Sequence, residues 1–202
     1  MGKYGILGGT FNPMHFGHLI LAEQAYSEFG LDKVLIIPSG NSYFKENTGV
    51  LPAGTRFEMC RIAIEDNEHF ELSDIEVNRA GETYTYETLE QLSEILVGEE
   101  LFFICGADVV SQMKLWKCPE KIFEKCSVIA AVRDNTDFNA LSNEIKYYED
   151  KFNAKIMIMN CGRMDISSTE IRKKIAYGLS VKYYLPDKLI EFIKSNNLYQ
   201  HL

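Results

Sequence analysis

Five short apolar runs recur along the chain: Tyr4 to Leu7, Val34 to Ile37, Leu101 to Cys105, Val128 to Val132 and Ile156 to Met159. Each is too brief for a helix and rich in β-branched or aromatic residues, which predicts buried strands. Longer stretches between them carry helical spacing. Leu19, Ala22 and Ala25 with Tyr26 and Phe29 form one such stripe, closed by Gly30 where a helix C-cap favours glycine. Alternating strand and helix restricts the fold, because parallel neighbours need crossover connections and the crossovers cover the sheet. The expected fold class is α/β, a Rossmann-like doubly wound parallel sheet with helices on both faces. Within that frame Arg56 to Ile64 and Tyr86 to Leu96 have helical spacing, and Phe70 to Val77 alternates like a strand. Ser39 to Thr55 holds Gly40, Asn41, Gly49, Pro52 and Gly54 without a period and predicts a surface loop. The Pro186 to Asn196 segment puts Leu189, Ile190 and Ile193 on one face after a Pro-Asp helix start. The whole, residues 1–202, reads as a single domain whose residues 163–202 form a C-terminal helical segment.

Composition narrows the partners. With 202 residues, 46% of them hydrophobic, the chain can bury a core without disulfide or metal staples. Twenty-one Lys and Arg against twenty-nine Asp and Glu give a net charge of -8. That balance speaks against general binding to nucleic acid or an anionic membrane, so an anionic ligand needs a local basic pocket. Cys60, Cys105, Cys118, Cys126 and Cys161 include no C-x-x-C pair and suit a reducing cytoplasm. The chain opens directly into a strand-like run, without the pattern of a signal peptide, and no apolar stretch approaches the roughly 18 residues of a membrane span. No His and Cys cluster has zinc spacing, so no protein-held metal is expected. A homo-oligomer is compatible with all of this.

The most informative segment follows the first strand: Gly8-Gly9-Thr10-Phe11-Asn12-Pro13-Met14-His15-Phe16-Gly17-His18. Gly8 and Gly9 have no side chain to keep a phosphate away from the backbone N–H groups. A helix beginning near His15 sets His15 and His18 on one face, at the helix end that favours anions. Taken singly, a Gly-Gly turn or one histidine is an ordinary strand-to-helix connection. Here two of the chain's four histidines share the segment, at a strand end where open α/β sheets bind ligands. Near the other terminus, Asp165-Ile166-Ser167-Ser168-Thr169-Glu170-Ile171-Arg172 carries Ser167 and Glu170 at capping-box spacing. Its first-turn amides and Arg172 suit the same kind of anion, although a capping box alone would say only that a helix starts.

These two stretches resemble the H-x-G-H signature and the second ATP motif of the nucleotidyltransferase superfamily, which includes nucleotide adenylyltransferases and class I aminoacyl-tRNA synthetases. From residue 3 to the Asn-Asn-Leu-Tyr near the C-terminus the chain is similar to the bacterial nicotinate-nucleotide adenylyltransferases. The resemblance implies transfer of AMP from ATP to nicotinate mononucleotide, with magnesium carried by ATP as cofactor. It implies that Gly8, Gly9, Thr10, Phe11, His15, His18, Gly106, Asp108, Arg133, Ile166, Ser167, Ser168 and Arg172 meet ATP, with His15, His18, Lys45 and Arg172 catalytic. Lys45, the Thr85 region and Trp116 are implied to meet the pyridine nucleotide. Trp116, the chain's one tryptophan, suits stacking on a cationic pyridine and equally suits packing in a core. The chain departs from the family pattern at Asn12, where Asp is usual. It also has Ser42-Tyr43-Phe44-Lys45 where Pro-Pro-His-Lys is usual, and Lys117 where a second aromatic is common. Competing readings are nicotinamide mononucleotide or phosphopantetheine as acceptor, and a nucleotide-binding regulator without catalysis. A dehydrogenase fits less well, because Gly8-Gly9-Thr10 lacks G-x-G-x-x-G spacing.

Overall fold

A computed structural model describes residues 1–42, 49–133, 136–162 and 165–200. The elements run β1 (Lys3–Gly9), α1 (Phe16–Phe29), β2 (Lys33–Pro38), β3 (Asn41–Ser42), α2 (Ala53–Ile64), β4 (Phe70–Leu72), β5 (Glu82–Thr83), α3 (Thr85–Ile95) and β6 (Glu100–Gly106). They continue with α4 (Ala107–Gln112), α5 (Pro119–Lys125), β7 (Ser127–Val132), α6 (Phe138–Phe152), β8 (Ile156–Asn160), α7 (Ser168–Ala176) and α8 (Asp187–Ser195). Six strands form a parallel sheet ordered β4-β2-β1-β6-β7-β8, and β3 pairs with β5 in a separate two-residue ladder. Counting only the six strands of the large sheet, the order is 3-2-1-4-5-6, with the winding reversing between β1 and β6.

The pleat explains why each strand is apolar throughout. Successive residues face opposite sides, so Leu7, Val34, Ile36, Phe102, Ile104 and Ile129 enter one core with Ala22 and Ala25 of α1, Met59 of α2 and Leu189 of α8. Ile6, Leu35, Ile37, Phe103 and Val128 enter the other, against Leu89 of α3, Ile122 of α5 and Leu141 of α6. Gly30 takes the left-handed conformation at φ 58° and ends α1, as its place in the sequence predicts.

Two expectations change. The strand expected over Phe70 to Val77 stops at Leu72, because Asp74 accepts the backbone N–H of Asn78 at 3.1 Å and its carboxylate accepts the Asn78 side-chain amide at 2.6 Å. Those bonds draw the chain into a turn that carries Glu76 to the site. The loop expected to reach Thr55 ends earlier, since α2 begins at Ala53. Among the described residues, no helix is long and apolar enough to cross a membrane.

Candidate active site

At the carboxyl edge of the sheet the β1–β6 ladder ends at the Ile6–Phe103 pair, while the strands run on to Gly9 and Gly106. The strands part there, opening a crevice at the point where the winding reverses. A cleft of about 270 Å³ lies at this place, walled by Gly8, Gly9 and Thr10 on one side and by Thr85 and Trp116 on another. A Cβ added at Gly8 would meet no atom within 4 Å, so glycine leaves main chain open to a ligand at that point. Trp116 does two things: it walls the cleft and meets the Phe103 ring edge-on at 6.0 Å. Phe11 has its ring in the core, edge-on to His18 at 5.0 Å, so what it offers a nucleotide is its main chain.

His15 is the N-cap of α1, and His18 follows within the first turn. The two rings stack with centroids 3.7 Å apart, and His18 Nδ1 accepts the His15 backbone N–H at 3.2 Å. That bond places the proton of a neutral His18 ring on Nε2, where it is a donor. His15 is 5% exposed. Burial, seconded by the charge of Arg133, holds its imidazole down at about 4, so the ring is uncharged at neutral pH. The pair expected to grip a phosphate together thus divides into a partly exposed donor and a buried neutral ring stacked on it. Gly17 permits the stack, since an added Cβ would stand 3.0 Å from His15 Nδ1 and 3.5 Å from the Cβ of Ile166.

The second motif packs onto the first. Ser168 Oγ donates to the Pro13 carbonyl at 2.8 Å, and Arg172 Nη1 donates to the Asn12 carbonyl at 2.9 Å. Arg172 is therefore no loose cation, because one arm of its fork holds the β1 turn. Its Nε and the His15 Nδ1 are buried without a hydrogen-bond partner among the described residues. Native structures keep few such groups. Ser167 caps α7 by accepting the Glu170 N–H at 3.3 Å. The expected reciprocal bond gives way to a Glu170–Lys173 pair at 3.0 Å, a charged partner within the same turn displacing a neutral amide.

Asp108 opens toward the end of β6, where Gly106 makes room: a Cβ at position 106 would collide with Asp108 Oδ1. Asp108 and Arg133 wall a second hollow of about 340 Å³. Arg133 also lowers the basicity of His15, which ties that hollow electrostatically to the histidine pair. Lys45, with Tyr43 and Phe44, lies outside the described residues.

Sequence reasoning missed Arg56. It is 2% exposed and donates to four carbonyls: Leu51 at 2.9 Å, Thr10 at 2.8 Å, Ser39 at 2.6 Å and Gly40 at 3.1 Å. It thereby fastens the turn after β1 to the turn after β2. The available signal was an arginine on the apolar stripe of α2, one turn before Met59 and Cys60. Glu76 was missed as well. Burial raises its pKa, opposed by hydrogen bonds from Thr88 and Thr83 and from the Gly40 backbone. Asn12 is a hub: its Nδ2 donates to Gly49 O at 3.0 Å, and its Oδ1 accepts from Leu51 N at 3.3 Å and Tyr199 Oη at 2.8 Å. An ionised aspartate could not donate to Gly49, so the amide is the side chain that satisfies this set.

A parallel sheet of this order with a paired-histidine turn and a capped Arg172 helix defines a nucleotidyltransferase, and residues 6–174 match the cytidylyltransferase-like family. A curated relative from Lachnoclostridium phytofermentans, named "Probable nicotinate-nucleotide adenylyltransferase", is 37% identical over 98% of this chain and 100% of its own length. One of the same name from Rubrobacter xylanophilus is 40% identical over 98% of this chain and 92% of its own. The chain belongs to the nicotinate-nucleotide adenylyltransferase family. It shares its fold with the solved Plasmodium falciparum nicotinic acid mononucleotide adenylyltransferase complexed with NaAD, at TM-score 0.81 and 20% identity, covering 99% of this chain and 98% of that one.

Proposed function

We propose that this protein transfers AMP from ATP to nicotinate mononucleotide, giving nicotinate adenine dinucleotide and pyrophosphate in NAD biosynthesis. The acceptor phosphate attacks the α-phosphorus of ATP; a P–O bond forms to the incoming oxygen, the α–β bridge breaks, and its electron pair leaves on pyrophosphate. With a second pKa near ~6, that phosphate is largely dianionic at neutral pH, so the protein needs to align and neutralise rather than remove a proton. His18 Nε2–H donates to the phosphates in transfer, His15 fixes the His18 ring, and Arg172 adds positive charge at the junction of the two motifs. The meeting of those motifs carries this reading, through Arg172 on Asn12 and Ser168 on Pro13. Asp108 and Arg133 serve the ATP side, and Thr85 with Trp116 the pyridine side. Magnesium carried on ATP would neutralise charge on the phosphate oxygens, and the Asp108 carboxylate would be the group of this chain to meet it. We assign the reaction to the cytoplasm, in keeping with five free thiols, of which Cys60, Cys105 and Cys126 are buried.

The test is a panel of nicotinate mononucleotide, nicotinamide mononucleotide and phosphopantetheine with ATP, scored by pyrophosphate release. Fastest turnover on nicotinate mononucleotide is expected, and His18→Ala lowers it on the order of 100-fold or more. Preference for phosphopantetheine, or ATP binding without pyrophosphate release, overturns the proposal.

A further inference from the structure

The pyridine acid and its amide differ by one negative charge, and the cleft contains a group able to read that difference. Among the described residues walling the 270 Å³ cleft, Lys117 is the one basic side chain and Glu76 the one acidic. Glu76 is already engaged, accepting from Thr88 Oγ1 at 2.8 Å and from Thr83 and the Gly40 backbone. Lys117 follows Trp116 directly, and its Nζ lies 4.0 Å from the centroid of the Tyr84 ring. Tyr84 is the N-cap of α3, immediately before Thr85. A lysine stem is flexible, and the aromatic face gives its ammonium a preferred seat beside both pyridine-side residues.

We propose that Lys117 is a specificity-determining residue, its ammonium pairing with the carboxylate of a pyridine ring lodged against Trp116 and so selecting the acid over the amide. The proposal rests on the acceptor reading given above. A carboxamide offers no charge to pair with, and its NH₂ group presents a second donor to a residue that has only donors, so the same side chain both attracts one ligand and disfavours the other. The pair lies at the mouth of a cleft and stays partly hydrated, which sets the expected discrimination at roughly tenfold rather than thousands.

The experiment compares the parent, Lys117→Met and Lys117→Arg, measuring kcat and KM for nicotinate and nicotinamide mononucleotides at saturating ATP. Methionine keeps most of the stem and removes the charge; arginine keeps the charge. Lys117→Met is expected to raise KM for the acid about tenfold with kcat largely retained, and to move KM for the amide far less, while Lys117→Arg keeps the preference. A parent-like acid-to-amide ratio in Lys117→Met overturns the assignment, as does an equal loss on both acceptors. A parent inactive on both pyridine nucleotides overturns the acceptor reading and the assignment with it; an active parent separates the two.

Discussion

The depressed basicity of His15 makes the fold sensitive to acid. In the unfolded chain the imidazole takes its proton near ~6.5, whereas in the folded chain burial holds that event down to about 4. Between those values the unfolded chain binds more protons, so stability is full above the upper value and is lost as pH falls through the lower one. The loss attributable to this one ring is on the order of 3 kcal/mol at full extent. Urea unfolding of parent and His15→Asn at pH 7 and pH 4.5 should show a smaller acid penalty in the variant; equal penalties would remove His15 as the cause. At this scale the sequence displayed the histidine pair through its spacing. It could not display the charge state, which depends on Arg133 and on core residues far along the chain. Arg56 was hidden for a related reason: an arginine in a helix reads as solvent-facing until four carbonyls from three separate turns are seen around it.

Elements carry the site by where they end. The strands were legible because each is short, apolar and covered on both faces, and β1 and β6 deliver Gly8 and Gly106 to the edge where the sheet parts. The truncation of β4 was not legible, since the alternation of Phe70 to Val77 continues beyond the point where Asp74 and Asn78 bend the chain. The start of α7 was legible through Ser167; its docking on the β1 turn was not, because Ser168–Pro13 and Arg172–Asn12 join residues 155 and 160 positions apart. That docking predicts an effect of Arg172→Ala on both halves of the site. On the role proposed for Arg172, removing the fork takes positive charge from beside the ATP phosphates and frees the Asn12 carbonyl, so KM for ATP should rise by at least about tenfold, with kcat lowered as well. Parent-like kinetics with ATP would show that α7 serves only as packing.

Across the whole molecule, the first motif is tied to the turn that follows α8. Tyr199, 7% exposed, donates a hydrogen bond from its hydroxyl to Asn12 Oδ1 at 2.8 Å, across 187 positions of chain. Tyr199→Phe should cost about 1 to 2 kcal/mol in urea unfolding, read as a lower midpoint at unchanged slope. Ile122→Val, a deletion of similar cost in the core on the other face, is the control. Turnover should fall further in Tyr199→Phe than in Ile122→Val, and equal turnover would reduce the contact to stability alone. The order of synthesis follows from this contact as well. Asn12 leaves the ribosome 187 residues ahead of Tyr199, so the histidine turn is made without that tether and gains it only once the partner residue has followed.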